Sequence, residues 1–67
     1  MKIILNNKIE EFNSDQFTIT ELLQAKNFTF KMLVIKVNGQ LVKKSEHNTA
    51  MVRDGDEVMV LHLISGG

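Results

Sequence analysis

The chain has 67 residues, 43% of them hydrophobic and 24% charged, and its eight basic and eight acidic side chains cancel to a net charge of zero. That length fits one small domain, which buries about 60% of its unfolded surface, and the apolar content argues against disorder. Balanced charge offers no handle for nucleic acid or an anionic membrane, and the lack of cysteine excludes disulfides, a thiolate nucleophile and a cysteine-ligated metal, as suits a reducing cytosol.

The opening Met1-Lys2-Ile3-Ile4-Leu5-Asn6-Asn7 has three consecutive apolar residues, too few for a signal-peptide core. The closing apolar run is too short to span a bilayer. A soluble, cytoplasmic protein is expected. Residues 2–5 are aliphatic and partly β-branched, and Lys8-Ile9-Glu10-Glu11-Phe12 alternates. Two short strands around an Asn pair predict a hairpin, since Asn tolerates positive φ.

Thr18 and Glu21 then form a capping-box pattern, with Phe17 and Leu22 at the spacing of a hydrophobic staple. Ile19, Leu22 and Leu23 share one helical face, and Asn27 can close the helix. A short helix over about residues 19–26 follows. Further on, Leu33, Ile35 and Val37 alternate into Asn38-Gly39, a strong two-residue hairpin signal, and Leu41 and Val42 begin the return strand. Residues 45–50 are polar and suit a loop or one helical turn. Residues 53–56, Arg-Asp-Gly-Asp, suit a turn in which Gly55 takes positive φ. The last strand is expected from Glu57 to about Ile64.

That strand is apolar on both parities, with Val58, Val60 and Ile64 on one and Met59, Leu61 and Leu63 on the other. A strand buried on both sides belongs inside a sheet. Placing it parallel to the first strand, with the helix across one face, gives an α+β fold. This is a β-grasp, or ubiquitin-like, roll with a mixed sheet of four to five strands and one main helix. If Leu61 and Leu63 face the helix together with Ile3 and Leu5, then Ile4, Val58, Val60, His62 and Ile64 face away. That uncovered face is the candidate partner-binding surface. Residues 1–64 are expected to form the domain and 65–67 a flexible C-terminal diglycine tail.

Several residues admit only modest readings. His47 and His62 lie far apart without companion ligands, so no metal site is expected. Asp54 and Asp56 lack the rest of a calcium-loop spacing, and turn chemistry explains them. Arg53 reads as turn surface. Phe12, Phe17, Phe28 and Phe30 read as core or core margin. There is no G-x-x-x-x-G-K-[ST] loop for a nucleotide and no Ser/His/Asp arrangement. The chain therefore reads as something delivered to enzymes, with no catalytic residue of its own. Gly66 and Gly67 suit that role, because no side chain obstructs a close approach of their backbone.

Taken in order, "VNGQLV", "RDGDEVMVL" and the terminal "SGG" resemble the ThiS family, the sulfur carriers of thiamine biosynthesis, over the whole chain. The resemblance implies a mechanism. An ATP-using adenylating enzyme related to ubiquitin-activating enzymes converts the Gly67 carboxylate to an acyl-adenylate. Cysteine-derived sulfur displaces AMP, and the thiocarboxylate donates sulfur to thiazole synthase. Ser65 and Gly66 would carry Gly67 into the partner's channel, and this chain would bind no cofactor itself. Three other functions compete: the small-subunit sulfur carrier of molybdopterin synthase, a ubiquitin-like modifier joined to lysines through Gly67, and a passive interaction module. Short length favours the thiamine carrier over the molybdopterin one.

Overall fold

The computed structural model describes residues 1–29 and 32–62. Strands β1 (Lys2–Leu5) and β2 (Lys8–Glu11) form the first hairpin. Asn6 and Asn7 supply the turn at φ 50° and 68°, positive at both central positions as a tight two-residue turn requires. Strand β3 (Gln16–Thr18) leads into helix α1 (Ile19–Ala25). A helix of 7 residues does not hold itself in water. Its start is fixed by a reciprocal cap, in which the Glu21 N–H donates to Thr18 Oγ1 at 3.1 Å and the Thr18 N–H donates to Glu21 Oε1 at 2.8 Å. Ile19 and Leu22 are fully buried, and Asn27 ends the helix at φ 58°.

Strands β4 (Leu33–Val37) and β5 (Gln40–Val42) form the second hairpin around Asn38-Gly39. A single 3₁₀ turn at Lys44–Glu46 opens the polar segment that follows, and strands β6 (Met51–Arg53) and β7 (Glu57–His62) come next. The main sheet has the order β2-β1-β7-β4-β5, with β7 parallel to β1 and antiparallel to β4. The last strand thus takes the central place that its two apolar parities predict. Among the described residues no helix is long and apolar enough to cross a membrane.

Strands β3 and β6 pair with each other in a separate two-stranded sheet, which the sequence reading did not anticipate. Phe17 and Val52 face each other in it and both are buried. The core joins them to Ile3 and Leu5 of β1, Ile19 and Leu22 of α1, Ile35 of β4 and Val58 and Val60 of β7. Phe12 and Phe28 lie at its margin, and Phe12 meets Phe17 edge-on at 4.9 Å between ring centroids. Phe30 lies outside the described residues.

The facing of β7 corrects the sequence-based expectation. Val58 and Val60 are 0% and 8% exposed, whereas Leu61 is 45% exposed. The valines therefore face the helix and Leu61 faces away. The cause is register. Leu5 of β1 stands opposite Val58, and Ile35 of β4 stands opposite Val60. Residues directly across a sheet share a face, so the core residues of both neighbours draw the valines inward. A one-residue slip would reverse every side chain on the strand. Val58 and Val60 are thus removed from the candidate partner surface, and Ile4 remains on it.

Candidate functional site

With β7 so oriented, the uncovered sheet face has a definite membership. Ile9 and Ile4 stand opposite each other on β2 and β1. Met59 and Leu61 of β7 share this face and stand opposite Lys36 and Val34 of β4, and Leu41 of β5 stands opposite Lys36. Ile4, Ile9, Leu41 and Leu61 are all exposed. The apolar residues therefore form two groups on this face, Ile9 with Ile4 toward one edge and Met59, Leu61 and Leu41 toward the other, with Glu57 across from Ile4 and Lys36 between Met59 and Leu41. Exposed apolar residues gathered on one sheet face among charges mark a protein-binding surface. Of the five residues named from the sequence for this surface, only Ile4 is placed there. His62 stands opposite Leu33, exposed on the same parity as the buried valines. Ile64 lies outside the described residues, as do Ser65, Gly66 and Gly67. Ile9, Leu41 and Leu61 were missed. Ile9 and Leu41 face Ile4 and Lys36 across the two short hairpins, so their signal was the hairpin register itself, whereas Leu61 faces Val34 through a pairing that no local window contains.

The strand that leads toward the diglycine is held by two asparagines. At its start, the Asn38 N–H donates to the Glu57 carbonyl at 2.7 Å, and the Glu57 N–H donates to Asn38 Oδ1 at 2.9 Å. The Asn38 side-chain amide also donates to Asp56 Oδ1 at 3.0 Å. Farther along, the Asn6 N–H donates to the Val58 carbonyl at 2.9 Å. The Asn6 side chain then takes over where β1 ends. Its Oδ1 accepts from the Val60 N–H at 2.8 Å and its Nδ2 donates to the Val60 carbonyl at 3.2 Å. One side-chain amide thus supplies the acceptor and donor that a continued β1 backbone would have offered to Val60. Both asparagines have positive φ, at 50° and 51°, so each makes a hairpin turn and anchors β7 at once.

The acidic pair of the 53–56 turn is structural. Asp54 Oδ1 accepts from the Lys2 N–H at 2.7 Å and Asp56 Oδ2 accepts from the Arg53 N–H at 2.9 Å. These bonds tie the turn to β1 and close it upon itself, as turn chemistry requires. His47 follows the 3₁₀ turn, and its carbonyl accepts from the Thr20 N–H at 3.0 Å. Among the described residues no three His, Cys, Asp or Glu side chains gather as a metal site would need.

The ThiS family model matches residues 3–67. The chain belongs to the ThiS family. It is 25% identical over 63 residues to the sulfur carrier protein ThiS of Bacillus subtilis (strain 168), covering 94% of this chain and 96% of that relative. The crystal structure of a thiamine biosynthesis protein (ThiS) from Geobacter metallireducens is 26% identical, with a TM-score of 0.90 and full coverage of both chains. A solution structure of a thiamine biosynthesis protein from the same organism superimposes with a TM-score of 0.81, covering 100% of this chain and 88% of that one. These likenesses agree with the ubiquitin-like β-grasp architecture seen here.

Proposed function

We propose that this member of the ThiS family is a sulfur carrier for formation of the thiamine thiazole. It acts as a substrate of partner enzymes. A carboxylate is a poor acyl electrophile, so the Gly67 carboxylate first attacks the α-phosphate of ATP on an adenylating enzyme of the ubiquitin-activating kind, and pyrophosphate leaves. Cysteine-derived sulfur then displaces AMP from the acyl carbon. The resulting thiocarboxylate passes its sulfur to thiazole synthase. The domain is residues 1–64, and Ser65, Gly66 and Gly67 are the delivered tail. The observation that carries this reading is the family match, which runs through Gly67 itself. The apolar open face supports it, because a carrier must dock on partners that supply all the chemistry.

The test uses the full chain with its cognate adenylating enzyme, ATP and a sulfur source. Intact-mass spectrometry is expected to show one oxygen replaced by sulfur, and deletion of Gly67 is expected to abolish the change while leaving the circular dichroism spectrum intact. An unchanged mass with every partner present would overturn the reading.

The open face makes a separable prediction. Leu61→Asp is expected to weaken binding to the adenylating enzyme by about tenfold or more, the loss of at least about 1.4 kcal/mol at an apolar contact. Leu61 is half-exposed, so the variant's stability should fall by only about 1–2 kcal/mol and the chain should stay folded. Calorimetric titration and a thermal melt, run on the same sample, check both halves.

A further inference from the structure

We infer that the exposed edge of the sheet is a self-association surface, on which β2 pairs antiparallel with β2 of a second copy around a two-fold axis at Ile9. The inference is independent of the sulfur-carrier reading. It begins with which backbone groups of β2 are used. The Phe12 N–H donates to the Met1 carbonyl and the Met1 ammonium to the Phe12 carbonyl, and Leu5 stands opposite Lys8 across the two-residue turn. In an antiparallel pair the bonding direction alternates along the strand. Lys8, Glu10 and Phe12 therefore turn their N–H and C=O toward β1. Ile9 and Glu11 turn theirs outward, as an unpaired template for another strand.

Side chains then select the register. A two-fold axis perpendicular to the sheet keeps each face continuous, so only residues of the same parity can stand opposite each other. Centring the axis on Ile9 sets Ile9 against Ile9′, Lys8 against Glu10′ and Asn7 against Glu11′. The neighbouring symmetric registers set Lys8 on Lys8′, Glu10 on Glu10′ or Glu11 on Glu11′, each a like-charge contact that destabilises a strand pair. The Ile9-centred register instead makes two Lys8–Glu10′ ion pairs, at a position where facing side chains lie closest. Glu10 already receives Lys26 Nζ at 3.0 Å, and its two oxygens can accept both cations. Among the described residues Lys8 has no ion pair. Ile9, the most exposed large apolar residue among those described at 73%, would be covered by its own copy, joining the two open faces through Ile4, Ile9, Ile9′ and Ile4′.

The product is a ten-stranded sheet in which the two β7 strands run antiparallel, five strand spacings or about 24 Å apart. Their C-terminal ends point in opposite directions, so neither obstructs the other. The strand is short, so the contact belongs to the weak class below about 1,200 Å², populated at millimolar protein and lost at micromolar.

The chain has no cysteine, so single introduced cysteines report the register. Residues 9 and 9′ would have Cα atoms about 5.5 Å apart, inside the disulfide range of about 4.4–6.8 Å. Residues 11 and 11′ would lie about 14 Å apart, four residues out of step along the strand. Under mild oxidation at millimolar protein, Ile9→Cys is expected to shift to doubled mass and Glu11→Cys to remain at single mass. Adding Lys8→Glu to Ile9→Cys is expected to suppress the dimer, because a carboxylate at position 8 then faces the Glu10′ carboxylate. Sedimentation equilibrium of the unmodified chain should show average mass rising with concentration. No rise in mass, or equal cross-linking through positions 9 and 11, would overturn the inference.

Discussion

Val58→Asp is expected to leave the chain unfolded at 25 °C, whereas Leu61→Asp, three residues along the same strand, leaves it folded. Val58 is 0% exposed, opposite Leu5 in the parallel pair and opposite Val37 in the antiparallel one. Replacing it forfeits about 1.5–3 kcal/mol of apolar burial. It also places a carboxylate in the core that Ile3, Leu5, Ile19 and Leu22 share, without a cation, at a further cost of several kcal/mol. A small domain of this kind sits toward the lower end of about 5–15 kcal/mol of total stability, so the combined loss removes most or all of it. Far-UV circular dichroism and a urea titration of both variants decide the matter. A cooperative, wild-type-like transition for Val58→Asp beside an unfolded Leu61→Asp would mean that β7 has the opposite facing.

That pair of variants also marks the boundary of what local sequence can say. The Asn6-Asn7 and Asn38-Gly39 turns, the Thr18–Glu21 cap and the helix it introduces rest on chemistry within four residues, and each was legible. The central position of β7 was legible too, because only a strand covered on both faces has apolar residues on both parities. The same property hid its orientation. Val58 and Val60 on one parity are balanced by Met59 and Leu61 on the other. The choice is made by Leu5 and Ile35, which are brought alongside by pairing across 53 and 25 residues of sequence. Strands β3 and β6 escaped notice for another reason. Each has three residues, and Phe17 already had a local role as the staple before α1. The diglycine was the clearest functional signal in the sequence, and it lies outside the described residues. The face expected to serve it was recognised as a face, but with Val58 and Val60 where Leu61, Leu41 and Ile9 belong.

Asn6→Ala is expected to lower stability by about 2–4 kcal/mol and to release the end of β7 before the rest of the sheet. Three costs add. Two hydrogen bonds to Val60 are lost, each worth about 1 kcal/mol net. The partly buried Val60 N–H and carbonyl are left without the partner that replaced β1. Alanine at φ 50° adds about 1 kcal/mol of backbone strain that asparagine tolerates better. For a domain of this size the total lowers Tm by roughly 10–25 °C. Asn6→Gly separates the causes, since glycine accepts positive φ freely while still lacking the amide, and it should recover about 1 kcal/mol of the alanine loss. Native-state hydrogen exchange distinguishes a local anchor from a general defect. In both variants the Val60 amide should exchange faster by a larger factor than the Ile35 amide at the sheet centre. Equal acceleration at the two amides would make Asn6 a turn residue alone. Preferential loss at Val60 would identify it as the group that fixes the end of β7, the strand from which the chain continues toward Gly67.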